Sequence, residues 1–131
     1  RHNSEIEQML FEYSNKNLKY DFTPHLTPMF RGILSTIYVS LNKNISYAKI
    51  ENTLNKFYKN SEFIKILKKS KLISTNDVIN TNNCLISVNR TKNKKRLIIL
   101  SAIDNLIKGG AGQAVQNMNI LYNFNNREGL K

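Results

Sequence analysis

A group of glycines near the C-terminal end of the sequence is the feature that most directly suggests chemistry. Lys108, Gly109, Gly110 and Gly112 open a stretch whose apolar residues recur at helical spacing. A glycine inside a helix costs roughly 1 kcal/mol relative to alanine, so several together require a local reason. Missing side chains would let a ligand or another backbone segment approach, and the start of a helix favours anionic groups. Tight packing of the helix on a sheet is the alternative that the glycines leave open.

Predicted helices and strands alternate along the first half of the chain, and they would position this helix. Ser4 and Glu7 have the spacing of a capping box, which predicts a first helix over about residues 5–13. Alternating apolar residues predict a short strand over residues 18–25. A run rich in β-branched residues predicts a long strand over residues 32–41.

The second half of the chain continues the alternation. Ser46 predicts the start of a second helix that ends near residue 59, and residues 63–67 predict a short strand. The polar segment 74–83 predicts an irregular connection. Two further strands, near residues 84–88 and 97–103, predict a hairpin whose second strand lies in the centre of the sheet. We therefore expect an α+β fold with a mixed, largely antiparallel sheet and helices on one face.

The strongly basic composition raises the question of nucleic-acid binding. The 131-residue chain carries 20 lysines and arginines against 9 acidic residues, for a formal net charge of +11. The basic residues are spread along the sequence, however, and the densest group, Lys92 to Arg96, occupies a turn without aromatic residues for base stacking. Charge alone argues weakly here, so a basic nucleic-acid-binding or free-standing interaction domain is kept as an alternative.

Cysteine content and hydropathy limit the cellular setting. Cys84 is the single cysteine, which excludes an internal disulfide framework and a metal site built from several cysteines. The longest apolar run, within residues 97–103, is too short for a membrane span, and no signal peptide is visible. These features predict a cytoplasmic protein with no metal. Because the sequence opens with Arg1, we also expect it to be part of a longer protein.

Three motifs in order carry a resemblance to a known family. They are the opening RHNSEIEQ of residues 1–8, the segment with FTPHL, PM and RGIL between residues 22 and 34, and SAIDNLIKGGAGQAVQNMN at residues 101–119. Together they resemble the C-terminal part of N-acetyl-γ-glutamyl-phosphate reductases. The chain departs from the family in two places, because Ser4 stands where proline is usual and the first histidine of the family's His-Arg-His motif is absent.

The resemblance implies an NADP-dependent enzyme related to glyceraldehyde-3-phosphate and aspartate-semialdehyde dehydrogenases. The family reduces N-acetyl-γ-glutamyl phosphate to the semialdehyde in arginine biosynthesis, through a cysteine thioester that accepts hydride. That cysteine would lie outside this chain, since Cys84 falls inside a predicted strand without an activating neighbour. The chain alone should therefore be inactive. A related reductase that acts on acetylaminoadipyl phosphate in lysine biosynthesis would look very similar.

The resemblance also implies a division of labour within the chain. Residues 1–106 would form a substrate-binding and dimerisation domain with the fold of the glyceraldehyde-3-phosphate dehydrogenase C-terminal domain. Residues 107–131 would form a helix and tail that return toward the missing NADP-binding domain. The expected partners are the small acyl phosphate, the missing N-terminal domain and further copies of the chain.

Site residues follow from the same resemblance. His2 is the candidate acid/base, although it could instead fix the loop before the first helix. Arg31 could bind a phosphoryl or carboxylate group through bidentate hydrogen bonds, or could be an exposed arginine at a strand edge. Glu5 could orient His2 or Arg1, or favour the helix dipole. The full candidate sets are Arg1, Glu5, Arg31 and Lys108 for substrate, and Asn105, Gly109, Gly110 and Gly112 for cofactor. If they serve one reaction, His2 and Arg31 should approach a shared concave surface.

Overall fold

The computed structural model describes residues 2–41, 45–68, 71–93 and 95–131. Its three α-helices are α1 (His2–Ser14), α2 (Tyr47–Phe57) and α3 (Gly112–Leu121). Its four strands are β1 (Ile33–Ser40), β2 (Ile64–Leu67), β3 (Cys84–Arg90) and β4 (Arg96–Ile103). A short 3-10 turn covers Thr75–Asp77, and a wide helical turn, Ile107–Ala111, leads directly into α3.

The four strands form one mixed sheet in the order β1-β4-β3-β2. β4 pairs antiparallel with β1 from Ile33↔Ile103 to Ser40↔Arg96, and antiparallel with β3 on its other side. Only the β2–β3 pair is parallel. The α+β class, the largely antiparallel sheet and the central place of the second hairpin strand are thus confirmed.

Two segments pack against the sheet. The connection between β2 and β3 packs Ile73 and Val78 against Leu85 and Ala102, which are all buried. The helix α2 is held to β3 by a hydrogen bond from the Tyr47 hydroxyl to the Val88 carbonyl oxygen.

Sequence patterning explains most element boundaries. α2 begins after Ser46, whose hydroxyl accepts a hydrogen bond from the Lys49 N–H at 3.2 Å, so the cap predicted there is confirmed. The connection 74–83 is largely irregular, as predicted, but includes a small capping box in which Ser74 and Asp77 bond each other's backbone N–H groups. Such local bonds satisfy polar groups where no regular ladder exists.

Two predictions about the N-terminal region are wrong. Residues 18–25 form no strand, because no other strand lies beside them to accept or donate ladder hydrogen bonds among the described residues. The apolar alternation there instead leaves Leu18 and Phe22 largely exposed. α1 begins at His2, so Ser4 lies inside the helix rather than at its cap.

Within the described ranges, no helix is long and apolar enough to cross a membrane, and no three His, Cys, Asp or Glu side chains gather into a potential metal site.

Candidate functional site

A buried carboxylate joins three separate segments of the chain at one end of the sheet. Asp104 follows β4 directly and is fully buried. Its oxygens accept hydrogen bonds from the backbone N–H of Asn80 at 2.8 Å, Leu106 at 2.8 Å and Ile107 at 2.9 Å. The Arg31 Nε lies 3.1 Å from Oδ1 and 3.0 Å from Oδ2. We refer to Asp104 with these four donors as the Asp104 cluster.

A second hydrogen bond fastens the same loop to the neighbouring residue. The Gly32 N–H donates to the Asn105 Oδ1 at 2.7 Å. Gly32 has φ of +106°, and a β-carbon there would lie 2.7 Å from the Thr75 β-carbon, so only glycine fits without strain. Arg31 and Asn105, which were predicted as site residues from distant parts of the sequence, are therefore brought together.

The Arg31 side chain is bound to Asp104 through one nitrogen. Only its Nε is bound to Asp104, and within the described part of the chain no hydrogen bond or ion pair reaches its two terminal nitrogens. The side chain retains 20% exposure while Asp104 has none. The guanidinium is thus anchored through Nε, and its terminal nitrogens have no hydrogen-bond partner among the described residues.

Burial by itself raises the pKa of Asp104, but the hydrogen bonds from the Asn80, Ile107 and Leu106 N–H groups and from Arg31 outweigh it and hold that pKa below its usual range. A carboxyl group whose pKa is lower in the folded chain than in the unfolded chain stabilises the fold at pH values above its unfolded pKa, which is near 3.8 for aspartate. This stabilisation is lost as the pH falls below 3.8.

We therefore expect the free energy of unfolding to fall more steeply below about pH 3.8 in the unsubstituted chain than in Asp104→Asn. Urea denaturation between pH 5 and pH 2 measures both slopes, and equal slopes would contradict this prediction.

Lys108 points to a different place from Arg31. Its Nζ donates to the Gln116 Oε1 at 2.7 Å and lies 5.7 Å from the centre of the Phe63 ring. Burial lowers the pKa of the Lys108 ammonium, and the nearby Cys84 thiol opposes this shift. The same Gln116 oxygen accepts a hydrogen bond from the buried Asn82 side chain at 2.9 Å. The Gln116 side chain on α3 therefore links Lys108 to Asn82, and the role of Lys108 in anion binding stays a prediction.

The predicted glycines divide into exposed and buried positions. Gly109 and Gly110 are exposed, and the backbone leaves the helical conformation at Gly110. Gly112 is buried, and a β-carbon there would lie 2.6 Å from both the Asn82 Oδ1 and the Ile107 Cγ2. At Gly112 the tight-packing alternative therefore accounts for the missing side chain.

We expect Gly112→Ala to destabilise the chain by about 1–3 kcal/mol, because the added methyl group must displace Asn82 and Ile107. Ala114→Ser, at an exposed position two residues further along α3, is the matched control and should change stability far less. Thermal and urea unfolding of both variants provide the test. A Gly112→Ala variant as stable as the control would show that the contact yields without cost.

His2 and Glu5 lie in the first turns of α1 and are exposed. The His2 ring stands edge-on to Phe22 at 6.2 Å between centroids. No described contact joins α1 to Arg31, so their approach to one surface stays a prediction. Arg1 lies outside the described residues.

Sequence reasoning missed the centre of the site. Asp104 lies in the motif of residues 101–119, and an aspartate side chain commonly accepts hydrogen bonds from backbone N–H groups two or three residues further along the chain. That signal could have identified its bonds to Leu106 and Ile107. Nothing in the sequence indicated its contact with Arg31, which lies 73 positions away.

Comparison with known proteins places the chain in a family. The family model for the semialdehyde dehydrogenase dimerisation domain matches residues 1–105, and the chain belongs to that family. Two similar relatives carry a more specific name than the family model does. The N-acetyl-gamma-glutamyl-phosphate reductase of Clostridium botulinum is 45% identical over 99% of this chain, and that of Halothermothrix orenii is 46% identical over 100% of it. The chain spans 38% of the length of each of these two relatives.

Solved structures agree on the fold. A crystal structure of aspartate semialdehyde dehydrogenase II from Vibrio cholerae, in complex with ASA, superposes with a TM-score of 0.55 at 19% identity. The match covers 73% of this chain and 28% of that one. At this identity the likeness shows the fold alone.

Proposed function

We propose that this chain is the C-terminal part of a cytoplasmic, NADP-dependent reductase that converts N-acetyl-γ-glutamyl phosphate to N-acetylglutamate semialdehyde and phosphate in arginine biosynthesis. The observation that carries the proposal is 45–46% identity to such reductases over essentially the whole chain. Because the chain spans only 38% of those relatives, the remainder would supply the nucleotide-binding domain and the nucleophilic cysteine.

In this proposal the Arg31 guanidinium binds the phosphoryl or carboxylate group of the substrate. Displacement of phosphate by a thiolate leaves an acyl thioester, and the group lost is a dianion that a cation stabilises. The partial exposure of Arg31, and the lack of a described partner for its terminal nitrogens, support this role. His2 would hold or deliver the proton required when the thioester is reduced and the thiol is released. Its exposed position at the start of α1 leaves it accessible to a neighbouring domain.

NADPH would supply the hydride, and Asn105, Gly109 and Gly110 are the described residues that would face it. Asn105, Gly109 and Gly110 lie next to one another, and a β-carbon at Gly110 would meet only the Asn105 carbonyl oxygen, at 3.4 Å. The Asn105 side-chain amide nitrogen would be a donor toward the cofactor, since its oxygen already binds Gly32. Gly112 instead packs internally.

Exposed apolar residues support both a neighbouring domain and self-association. α1 contains no buried residue, and Met118, Ile120 and Leu121 on α3 are largely exposed. Tyr38 on the edge strand β1 is 75% exposed. We propose that residues 107–131 contact the nucleotide-binding domain, whereas residues 1–106 provide most of the contact between subunits, in line with the family's description as a dimerisation domain.

Mixing experiments separate the proposed function from the alternatives. The partner is the part of the Clostridium botulinum reductase that this chain does not match. We expect the two to form a complex in size-exclusion chromatography with light scattering, and we expect weak duplex DNA binding that disappears near physiological salt. A stable homodimer without affinity for that part would favour a free-standing interaction domain. Sequence-selective nanomolar DNA binding would favour the nucleic-acid-binding alternative.

The reductase of acetylaminoadipyl phosphate remains a second candidate on the resemblance alone. The two substrates differ in the length of the carbon chain between the acyl phosphate and the acetylated amine. Comparing kcat/KM for the two acyl phosphates, in the active chimera described below, decides between them.

A further inference from the structure

The Arg31 side chain is held in place by Asp104. An arginine side chain loses considerable rotamer freedom when it is held in one conformation. An arginine that no other side chain holds would lose this freedom only when substrate binds. Here the Nε already bonds both oxygens of a fully buried carboxylate. The conformational entropy of the guanidinium is therefore lost when the chain folds, and it is not lost again when substrate binds.

The carboxylate is itself held rigidly. Three backbone N–H groups from two segments bind Asp104, and the Gly109 N–H donates to its carbonyl oxygen at 2.9 Å. Asn80 reaches Asp104 from a left-handed turn, with φ of +61°, which asparagine tolerates well. Both oxygens of the carboxylate thus accept backbone hydrogen bonds, which hold the group in one orientation.

We propose that Asp104 is a positioning residue, which fixes the Arg31 guanidinium with its terminal nitrogens directed toward the phosphoryl or carboxylate group of the substrate. This inference rests on the role proposed for Arg31. Asp104 itself contacts no substrate, and its effect on the reaction passes through Arg31 alone.

A purely structural Asp104 would also hold the start of the last helical segment, so the test must separate the two roles. An asparagine at position 104 keeps one side-chain oxygen, which can still accept the bonds from Leu106 and Ile107. The amide nitrogen that replaces Oδ2 would face the N–H donors of Arg31 and Asn80. Asp104→Asn therefore removes the negative charge and one of the two oxygens that face Arg31, while the bonds at the start of the last helical segment can remain.

The experiment uses a chimera in which this chain replaces the matching region of the Clostridium botulinum reductase, and measures NADPH oxidation with N-acetyl-γ-glutamyl phosphate. We expect Asp104→Asn to lower kcat/KM for the acyl phosphate at least about tenfold, with the KM for NADPH unchanged. In an Arg31→Ala background, the same substitution should cost less than about twofold, because the residue that it positions is already gone. Asp77→Asn, at the exposed carboxylate of the capping box, is the matched control and should leave kcat/KM unchanged.

Arg31→Lys provides a second variant that leaves the backbone bonds of Asp104 intact. Lysine keeps the charge but lacks the Nε–H that the carboxylate holds, so we expect a loss close to that of Arg31→Ala. This variant tests whether Asp104 positions Arg31 if Asp104→Asn does not fold.

The outcomes are distinct. Equal losses from Asp104→Asn in both backgrounds, or full activity in Arg31→Lys, would overturn the positioning role and leave the proposed function standing. An Arg31→Ala chimera as active as the parent would overturn the role of Arg31 as well. A low kcat/KM that is sensitive to Asp104 only when Arg31 is present would support the inference.

Discussion

Asp104→Ala is expected to destabilise the chain by about 3–5 kcal/mol, since it leaves the buried side of Arg31 without its counter-charge. Three backbone N–H groups lose their acceptor at the same time, and two of them begin the segment that leads to α3. Because folded domains are stable by only about 0.05–0.15 kcal/mol per residue, this loss is a large share of the free energy of unfolding of a 131-residue chain. Urea denaturation followed by circular dichroism measures the change.

Asp77→Ala is the matched control for this prediction. Asp77 is also an acidic residue that accepts a backbone N–H, from Ser74 at 2.9 Å, but it is exposed and belongs to a small capping box. Its removal should cost about 1 kcal/mol. If the two substitutions cost the same, the Asp104 cluster does not hold the three segments together.

Arg31→Ala, made in the chimera, should lower kcat/KM for the acyl phosphate by roughly 10- to 150-fold. A hydrogen-bonded contact to a charged group contributes about 1.5–3 kcal/mol, and each 1.4 kcal/mol corresponds to a factor of ten. The loss should appear for the acyl phosphate and not in the KM for NADPH, because the proposed contact is with the substrate.

Arg96→Ala controls for the loss of positive charge. Arg96 is exposed and pairs with Ser40 at the opposite end of β1 and β4 from Arg31. Its removal should leave kcat/KM nearly unchanged. Comparable losses from both substitutions would indicate a general effect of charge on substrate attraction rather than a specific contact.

The sequence predicted the sheet well because its signals are local and redundant. β-branched runs, turn residues and the cap at Ser46 each specify a boundary, and the apolar run of β4 indicated a strand with neighbours on both sides. The same reasoning failed at residues 18–25, because alternation describes which side chains share a side but not whether a partner strand exists.

The site was predicted in part for a related reason. Family motifs identified Arg31 and Asn105, and the structure brings both against one end of the sheet through Asp104 and Gly32. Asp104 was missed because its importance comes from tertiary contacts with Asn80 and Arg31, which local patterns do not record. Gly112 was correctly noticed, but whether a ligand or a neighbouring side chain required it depended on the position of Asn82.

We propose that this chain supplies the substrate-binding part of an acyl-phosphate reductase and depends on a domain that carries the cysteine and the nucleotide site. The most direct test measures NADPH oxidation with N-acetyl-γ-glutamyl phosphate for this chain alone and for the chimera with the Clostridium botulinum reductase. We expect no turnover from the chain alone and clear turnover from the chimera. Turnover by the purified chain alone, or a folded chimera with no activity, would contradict the account.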